Sequence, residues 1–331
     1  MIKVGIIGVG GTVSIADMHV EALKQDQDFI ITKVYNRTFE KANAFIKKHQ
    51  LKAINAPSLD EFFQDIDAVI ITTSNDVHDA YVRLACQHHK HILIEKPLTG
   101  DCAQSLKLYQ DFAEYSKVIM VGYLNRYAPM IQDLKSILHQ HFYEVYTIQA
   151  SYGGKRIANP EVPFEWRMSQ ACTRYGASMD FGSHLVDLIG YILEKPLELV
   201  HRSDTIGITK RKIKDVWADV ENDDAAVLTL KANQTLISCI VSRIGMDSIR
   251  LMISGDGGII TLSFNPPMHM IYEEKLTLAG FTGKTVEKTY SETQKNLMMY
   301  QLSVFKDAIQ NKNVNYPNLF QGMIVDCTID S

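Results

Sequence analysis

Across the first 122 residues, short β-branched runs alternate with stretches in which apolar residues recur every three or four positions. A short, wholly apolar run suits a strand buried on both faces of a parallel sheet, and the longer period suits a helix with one face on that sheet. The predicted strands are residues 2–7, 30–35, 68–72, 91–95 and 118–121. Two helix starts can be read directly. Ser58 with Glu61 forms a capping box before Phe62-Phe63, and Asp101 with Gln104 does the same before Leu106 and Leu108. Strands separated by helices imply right-handed crossovers, and so an α/β, doubly wound domain.

After Tyr123 the texture changes. The pattern predicts a helix over 127–139, a strand over 144–151, and a turn-rich stretch with Gly153-Gly154, Pro160 and Pro163. Met179, Leu185, Leu188, Ile189 and Ile192 place a helix over 178–193. From residue 225 the strands come in hairpin order: 226–230 with 235–243, then 249–254 with 259–264 across Gly255-Asp256-Gly257-Gly258. That predicts an α+β half with a mainly antiparallel open sheet. A chain of 331 residues has room for two domains, and the change of pattern divides it into 1–122 and 123–331.

Composition narrows the function. At 46% hydrophobic and 22% charged residues the chain folds, and a net charge of −4 with no basic stretch excludes nucleic acid as the main partner. No window approaches the ~18 apolar residues of a membrane span, and the opening residues lack a signal-peptide plan, so a cytoplasmic location with no membrane partner is expected. The five cysteines have no C-x-x-C pair and read as free thiols, neither a disulfide framework nor a zinc site. The histidines of 87–91 and the acids Asp219, Glu221, Asp223 and Asp224 read as solvated loops, so no metal site is expected.

Three groups of residues bear on chemistry. Gly8-Val9-Gly10-Gly11 follows the first strand and opens a helix, as a pyrophosphate-binding turn does, although Val13 stands where a third glycine is usual. Glu95-Lys96-Pro97 lies where the fourth strand runs out, the edge at which ligands collect in open parallel sheets. Asp180, His184, Asp187 and Tyr191 share one helix face, and a carboxylate one turn from a histidine can orient the imidazole for proton transfer. Taken alone, Lys96 also fits a solvated strand end, and the 180–191 face a solvated helix surface.

Together these pieces resemble the Gfo/Idh/MocA family of NAD(P)-dependent oxidoreductases, the group of glucose–fructose oxidoreductase and inositol dehydrogenases. The resemblance covers most of the chain. It rests on Gly8-x-Gly10-Gly11, Thr73-Ser74-Asn75 with His78, Glu95-Lys96-Pro97-Leu98, Gly122-Tyr123-Leu124-Asn125-Arg126-Tyr127, Trp166-Arg167, and Asp180-Phe181-Gly182-Ser183-His184-Leu185-Val186-Asp187. It implies a Rossmann domain and hydride exchange between NAD(P) and a sugar, cyclitol or related polyol. Lys96, Asp180 and His184 take the catalytic positions, and the Lys96-Pro97 bond is expected to be cis. Gly8, Gly10, Gly11, Thr12, Asn36, Arg37, Thr38, Thr73, Ser74, Asn75, His78, Glu95 and Lys96 are expected at the cofactor. Arg126, Trp166 and Arg167 are expected to border the substrate with Lys96, Asp180 and His184. Arg174-Tyr175-Gly176-Ala177 replaces the family's glycine-rich run, which makes Tyr175 a further substrate-binding candidate and leaves the particular substrate open.

At the end of the second strand, Tyr35-Asn36-Arg37-Thr38 has an amide where a carboxylate would bind the ribose of NAD, with a cation beside it. This favours NADP, with NAD as the alternative. Strand 235–243 is apolar on both faces, which with the resemblance points to a homodimer or homotetramer through the second-half sheet. Two other readings use the same residues: a nucleotide- or sugar-sensing regulator without turnover, and a hydrolase that cycles a tightly bound cofactor.

Overall fold

The computed structural model describes residues 1–11, 15–245, 248–264, 268–274 and 285–331. Its strands are β1 (Ile2–Ile7), β2 (Phe29–Tyr35), β3 (Ile54–Asn55), β4 (Ala68–Ile71), β5 (His91–Ile94), β6 (Ile119–Val121), β7 (Val145–Gly153), β8 (Glu198–Thr205), β9 (Lys210–Ile213), β10 (Val216–Asp219), β11 (Ala225–Ala232), β12 (Thr235–Ser242), β13 (Ile249–Gly255), β14 (Gly258–Ser263), β15 (Met268–Glu274) and β16 (Thr285–Tyr290). Its helices are α1 (Ile15–Leu23), α2 (Phe39–Lys48), α3 (Leu59–Phe63), α4 (His78–Gln87), α5 (Cys102–Phe112), α6 (Pro129–His141), α7 (Ala177–Asp180), α8 (Gly182–Leu193), α9 (Gln294–Ile309) and α10 (Leu319–Asp330). The chain forms two compact units, 1–124 with 294–327, and 125–293 with 328–331.

The first unit is built on a parallel sheet in the order β3-β2-β1-β4-β5-β6, the strand order of dinucleotide-binding domains. All four residues of β4 and three of four in β5 are buried, as expected of strands covered on both faces. The two capping residues act as the sequence suggests: Ser58 accepts from the Glu61 amide at 3.2 Å and Asp101 from the Gln104 amide at 2.9 Å. Residues 294–327, which the change of texture assigns to the second half, pack with this unit instead. The reason is the apolar face of α9, where Leu297, Met298, Leu302 and Phe305 are buried and the helix contacts α1. Lys306 then reaches Asp26 at 2.7 Å and Asp28 at 3.0 Å.

The second unit carries an eight-stranded sheet in the order β16-β15-β14-β13-β7-β12-β11-β8. The predicted hairpins β11–β12 and β13–β14 are present, but the sheet is mixed, because β7 runs parallel to β12 at its centre. Along β11, Ala226, Leu228, Leu230 and Ala232 are buried, on the strand that α7 contacts. The opposite face leaves Val227, Leu236, Ile240 and Ile259 between 40% and 53% exposed. The helix expected over 178–193 is two helices, α7 and α8, parted at Phe181. Strands β8, β9, β10, β15 and β16 have no counterpart in the sequence reading.

The cysteines need a correction. Cys102 and Cys327, 225 residues apart, form a disulfide between the start of α5 and α10, while Cys86, Cys172 and Cys239 are thiols. A pairing made only by tertiary folding leaves no spacing signal in the chain. Burial pushes the Cys86 and Cys239 thiols up to about 12, and Cys172 is half-buried. Titration with a thiol reagent should therefore find Cys172 reacting first in the native protein. Unfolding without reductant should expose three thiols in all, and unfolding with reductant all five. Five before reduction would contradict the bridge.

Candidate functional site

In the first unit, β1 ends in a turn that only glycine adopts easily. Gly8 and Gly10 have φ of +97° and +83°. A Cβ at Gly8 would sit 2.6 Å from the Thr73 amide nitrogen, so the ends of β1 and β4 meet backbone to backbone. The amide of Asn36 ties this turn to the end of β2, donating to the Val9 carbonyl at 2.5 Å while its oxygen accepts from the Thr38 amide at 2.8 Å. Arg37 and Thr38 are exposed next to it, as are Gly10 and Gly11; Thr12 lies outside the described residues. Beside Gly8, Thr73 Oγ1 is buried without a hydrogen-bond partner among the described residues. Ser74 is half-buried, and Asn75 opens the short turn into α4. A turn with glycine at positions 8, 10 and 11 and an unsatisfied hydroxyl at its edge fits a dinucleotide phosphate.

At the end of β5, every residue from Ile92 to Gly100 is buried except Lys96. The Lys96-Pro97 peptide is cis. Glu95 and His78, expected to touch the cofactor, are turned inward. Glu95 Oε1 lies 2.7 Å from Nε2 of the fully buried His19 on α1, and Gly122 makes room, since a Cβ there would fall 3.3 Å from the carboxylate. His78 has no exposed surface, and its Nδ1 faces the carbonyls of Pro97 at 3.0 Å and Leu98 at 3.1 Å. Its Nε2 lies 3.3 Å from the Thr73 carbonyl, and burial holds the His78 pKa below its ordinary value. Both side chains are thus committed to contacts inside the first unit. Nothing in the spacing of His19 singles it out in the sequence.

In the second unit, Asp180 ends α7 and His184 lies in the first turn of α8. The start of α7 is fixed by Asp223, which accepts from the Gly176 amide at 2.6 Å, the Ser178 amide at 2.7 Å and the Ser178 hydroxyl at 2.9 Å. A Cβ at Gly176 would come within 1.9 Å of the Asp223 carbonyl, so glycine is required there. The acidic run thus departs from the solvated loop expected of it. Asp223 and Asp224 are 5% and 1% exposed because α7 needs a cap and because Arg243, at 3.0 Å, needs a carboxylate.

Asp180 lies 3.8 Å from Arg167 Nε, and the Arg167 guanidinium stands 4.3 Å over the Trp166 ring. His184 is 7% exposed, with its ring 5.2 Å from that of Tyr152. Burial first, and then the Asp180 charge, raise the Tyr152 phenol above its ordinary range, so it stays protonated. The sequence reading missed Tyr152, one of several aromatic residues on a strand with no motif around it. The expected polar face divides here. Asp187 is 3% exposed and takes Arg126 Nε at 2.7 Å and Nη2 at 2.5 Å, and Arg126 lies 4.8 Å over Tyr191. Arg126 thereby commits two of its nitrogens to α8. Tyr175 donates its hydroxyl to Asp330 at 3.0 Å beneath the Arg202 guanidinium, 3.9 Å from its ring.

Comparison with known proteins agrees with this geometry. Residues 2–123 match the oxidoreductase-family model for the NAD-binding Rossmann fold, and residues 132–261 match the model for the GFO/IDH/MocA C-terminal domain. The chain is 27% identical to glucose-6-phosphate 3-dehydrogenase of Bacillus subtilis (strain 168) over 248 residues, 73% of this chain and 68% of that protein. It is 28% identical to the scyllo-inositol 2-dehydrogenase (NADP(+)) IolW of the same organism over 198 residues, 59% of this chain and only 52% of the relative. Levoglucosan dehydrogenase, solved in complex with NADH and L-sorbose, shares the fold at a TM-score of 0.88 and 19% identity, over 99% of this chain and 95% of that one. Among the described residues no helix is long and apolar enough to cross a membrane. With both family models matched in order along one chain, the protein belongs to the Gfo/Idh/MocA family of oxidoreductases.

Proposed function

We propose that this protein is an NAD(P)-dependent dehydrogenase that moves a hydride between the nicotinamide and a hydroxyl-bearing or carbonyl carbon of a sugar, cyclitol or related polyol. The observation that carries the reading is Lys96, the one half-buried residue in an otherwise buried run, 92–100, at the carboxyl end of β5, in the unit that holds the glycine turn. Bound NAD(P) supplies the hydride acceptor or donor. In the oxidation direction, His184 and Lys96 are the groups that accept the hydroxyl proton and stabilise the negative charge developing on the oxygen. Asp180, at the end of the capped α7, is the carboxylate that orients His184, and Trp166 and Arg167 supply polyol contacts. Lys96→Met should cut turnover by roughly 10²–10⁴, followed by absorbance of the reduced nicotinamide against a panel of sugars and inositols, with cofactor affinity within about threefold of wild type. Turnover near the wild-type rate would overturn the assignment, and cofactor binding with no turnover of any panel member by wild type would favour the sensing reading.

NADP is the proposed cofactor. Two features of β2 support this: Asn36 brings no carboxylate to repel a 2′-phosphate, and Arg37 is exposed beside it. Because the Asn36 amide also supports the glycine turn, Arg37 is the cleaner position to change. Calorimetry on Arg37→Ala should show NADP binding weakened about tenfold, ~1.4 kcal/mol, with NAD affinity unchanged. An equal loss for both cofactors would defeat the preference.

The exposed apolar face of the mixed sheet supports a homodimer or homotetramer. Val227 and Ile240 are paired across β11 and β12, with Leu236 further along β12, and each is at least 40% exposed. Light scattering at micromolar concentration should give an oligomer, and Ile240→Glu should shift it to a smaller species. A monomeric wild type would remove the proposal.

A further inference from the structure

The residues after Lys96 form a turn with no exposed surface. Pro97, Leu98, Thr99 and Gly100 are all buried, and Gly100 has a φ of +78°. They run beyond the end of β5, so no strand neighbour pairs them. One side is held by His78, on the carbonyls of Pro97 and Leu98. The other side is held from the far end of the sequence. Asp326 Oδ2 accepts from the Thr99 amide at 2.8 Å, the Gly100 amide at 2.9 Å and the Ser105 hydroxyl at 2.6 Å. Gly322, one turn earlier on α10, lets the helix approach this closely, for a Cβ there would sit 2.9 Å from Val121 Cγ2 and 3.1 Å from Leu98 Cβ. The disulfide from Cys327 to Cys102 lies directly beside the contact.

We infer that Asp326 is a positioning residue for Lys96. By fixing the Thr99-Gly100 turn from α10, opposite His78, it sets the direction in which the lysine leaves β5. The inference rests on the proposed role of Lys96 at the substrate oxygen. Side-chain placement at that distance from the chemistry matters, since a misplacement of about 1 Å costs about 10²-fold in rate.

Asp326 satisfies two buried amides and a hydroxyl, so it has a structural role beside the positioning one. Burial raises Asp326 to about 6, against an ordinary value of about 3.9, so the folded chain holds this proton more tightly than the unfolded chain does. On this account its contribution to stability is greatest below pH ~4 and is lost as the pH rises through about 6. At neutral pH burial disfavours the ionised form relative to the neutral one, while its negative charge strengthens the three hydrogen bonds it accepts. The unmatched Oδ1, buried and without a hydrogen-bond partner among the described residues, adds to that cost.

Asp326→Asn separates the two roles, because the amide keeps the shape and one acceptor oxygen but loses the charge. At pH 7.5 the variant should melt within about 4 °C of wild type, with KM and cofactor affinity changed less than threefold and kcat lowered at least about tenfold. A second measurement does not depend on sugar turnover: the rate at which an amine-acylating reagent modifies Lys96, followed by peptide mass spectrometry. That rate should change at least threefold in Asp326→Asn, while the rates of the exposed Lys47 and Lys52 stay at the wild-type value. Unchanged kcat together with an unchanged Lys96 rate would overturn the inference. If wild type turns over no sugar or polyol, the proposed function fails, and the acylation rate alone decides the role of Asp326. Should Asp326→Asn not fold, Ser105→Ala removes one of the three donors and is read in the same way, with a change in the Lys96 rate supporting the inference and none overturning it.

Discussion

A backbone amide or carbonyl shut away from water has to find a partner inside the protein, and this requirement shapes both candidate sites. Within β4 and β5 the sheet ladder meets it. Past the last rung it has to be met by side chains. His78 and Asp326 do so for the turn from Pro97 to Gly100, and Asp223 does so for the segment that opens α7. Each of these polar residues is buried beside the backbone it serves.

The second unit meets the same requirement with more charge. Asp187 and Asp224 are nearly inaccessible, and each faces an arginine, Arg126 or Arg243. Buried ion pairs add little to stability when intact, but removing one partner typically costs about 3–5 kcal/mol because the other charge stays behind. They therefore act as registry pins. Arg126 locks α8 through Asp187, three residues beyond His184, and Arg243 locks the strand end after β12 to the residues preceding β11.

The parts of this molecule legible in its sequence are those with a short-range signal. Five of the six strands of the first sheet, the two helix caps, the glycine turn and the hairpins of the second sheet all follow from period and turn chemistry. What stayed hidden has partners far along the chain. Cys102 and Cys327 pair across 225 residues, Asp326 serves Thr99 from a distance of 227, and α9 returns to α1 after the whole second unit has intervened. The acidic run misled for a different reason: four carboxylates in six residues look solvated on composition, yet two of them are consumed by a helix start and an arginine. At Asn36 the residue type does not reveal that its amide is bound into the glycine turn.

The return of residues 294–327 to the first unit bears on how the chain matures. The N-terminal sheet is made first but completed last: the Val121 amide waits for the Pro317 carbonyl, at 2.8 Å, and α1 for the apolar face of α9. Until that segment emerges from the ribosome, the β6 edge and part of the α1 surface lie open to other chains. The second unit is also closed late, with Thr328 donating to the Leu197 carbonyl at 3.3 Å. A nascent chain halted before α10 therefore also lacks the Asp326 contacts to Thr99 and Gly100 in the first unit and the Thr328 contact to Leu197 in the second.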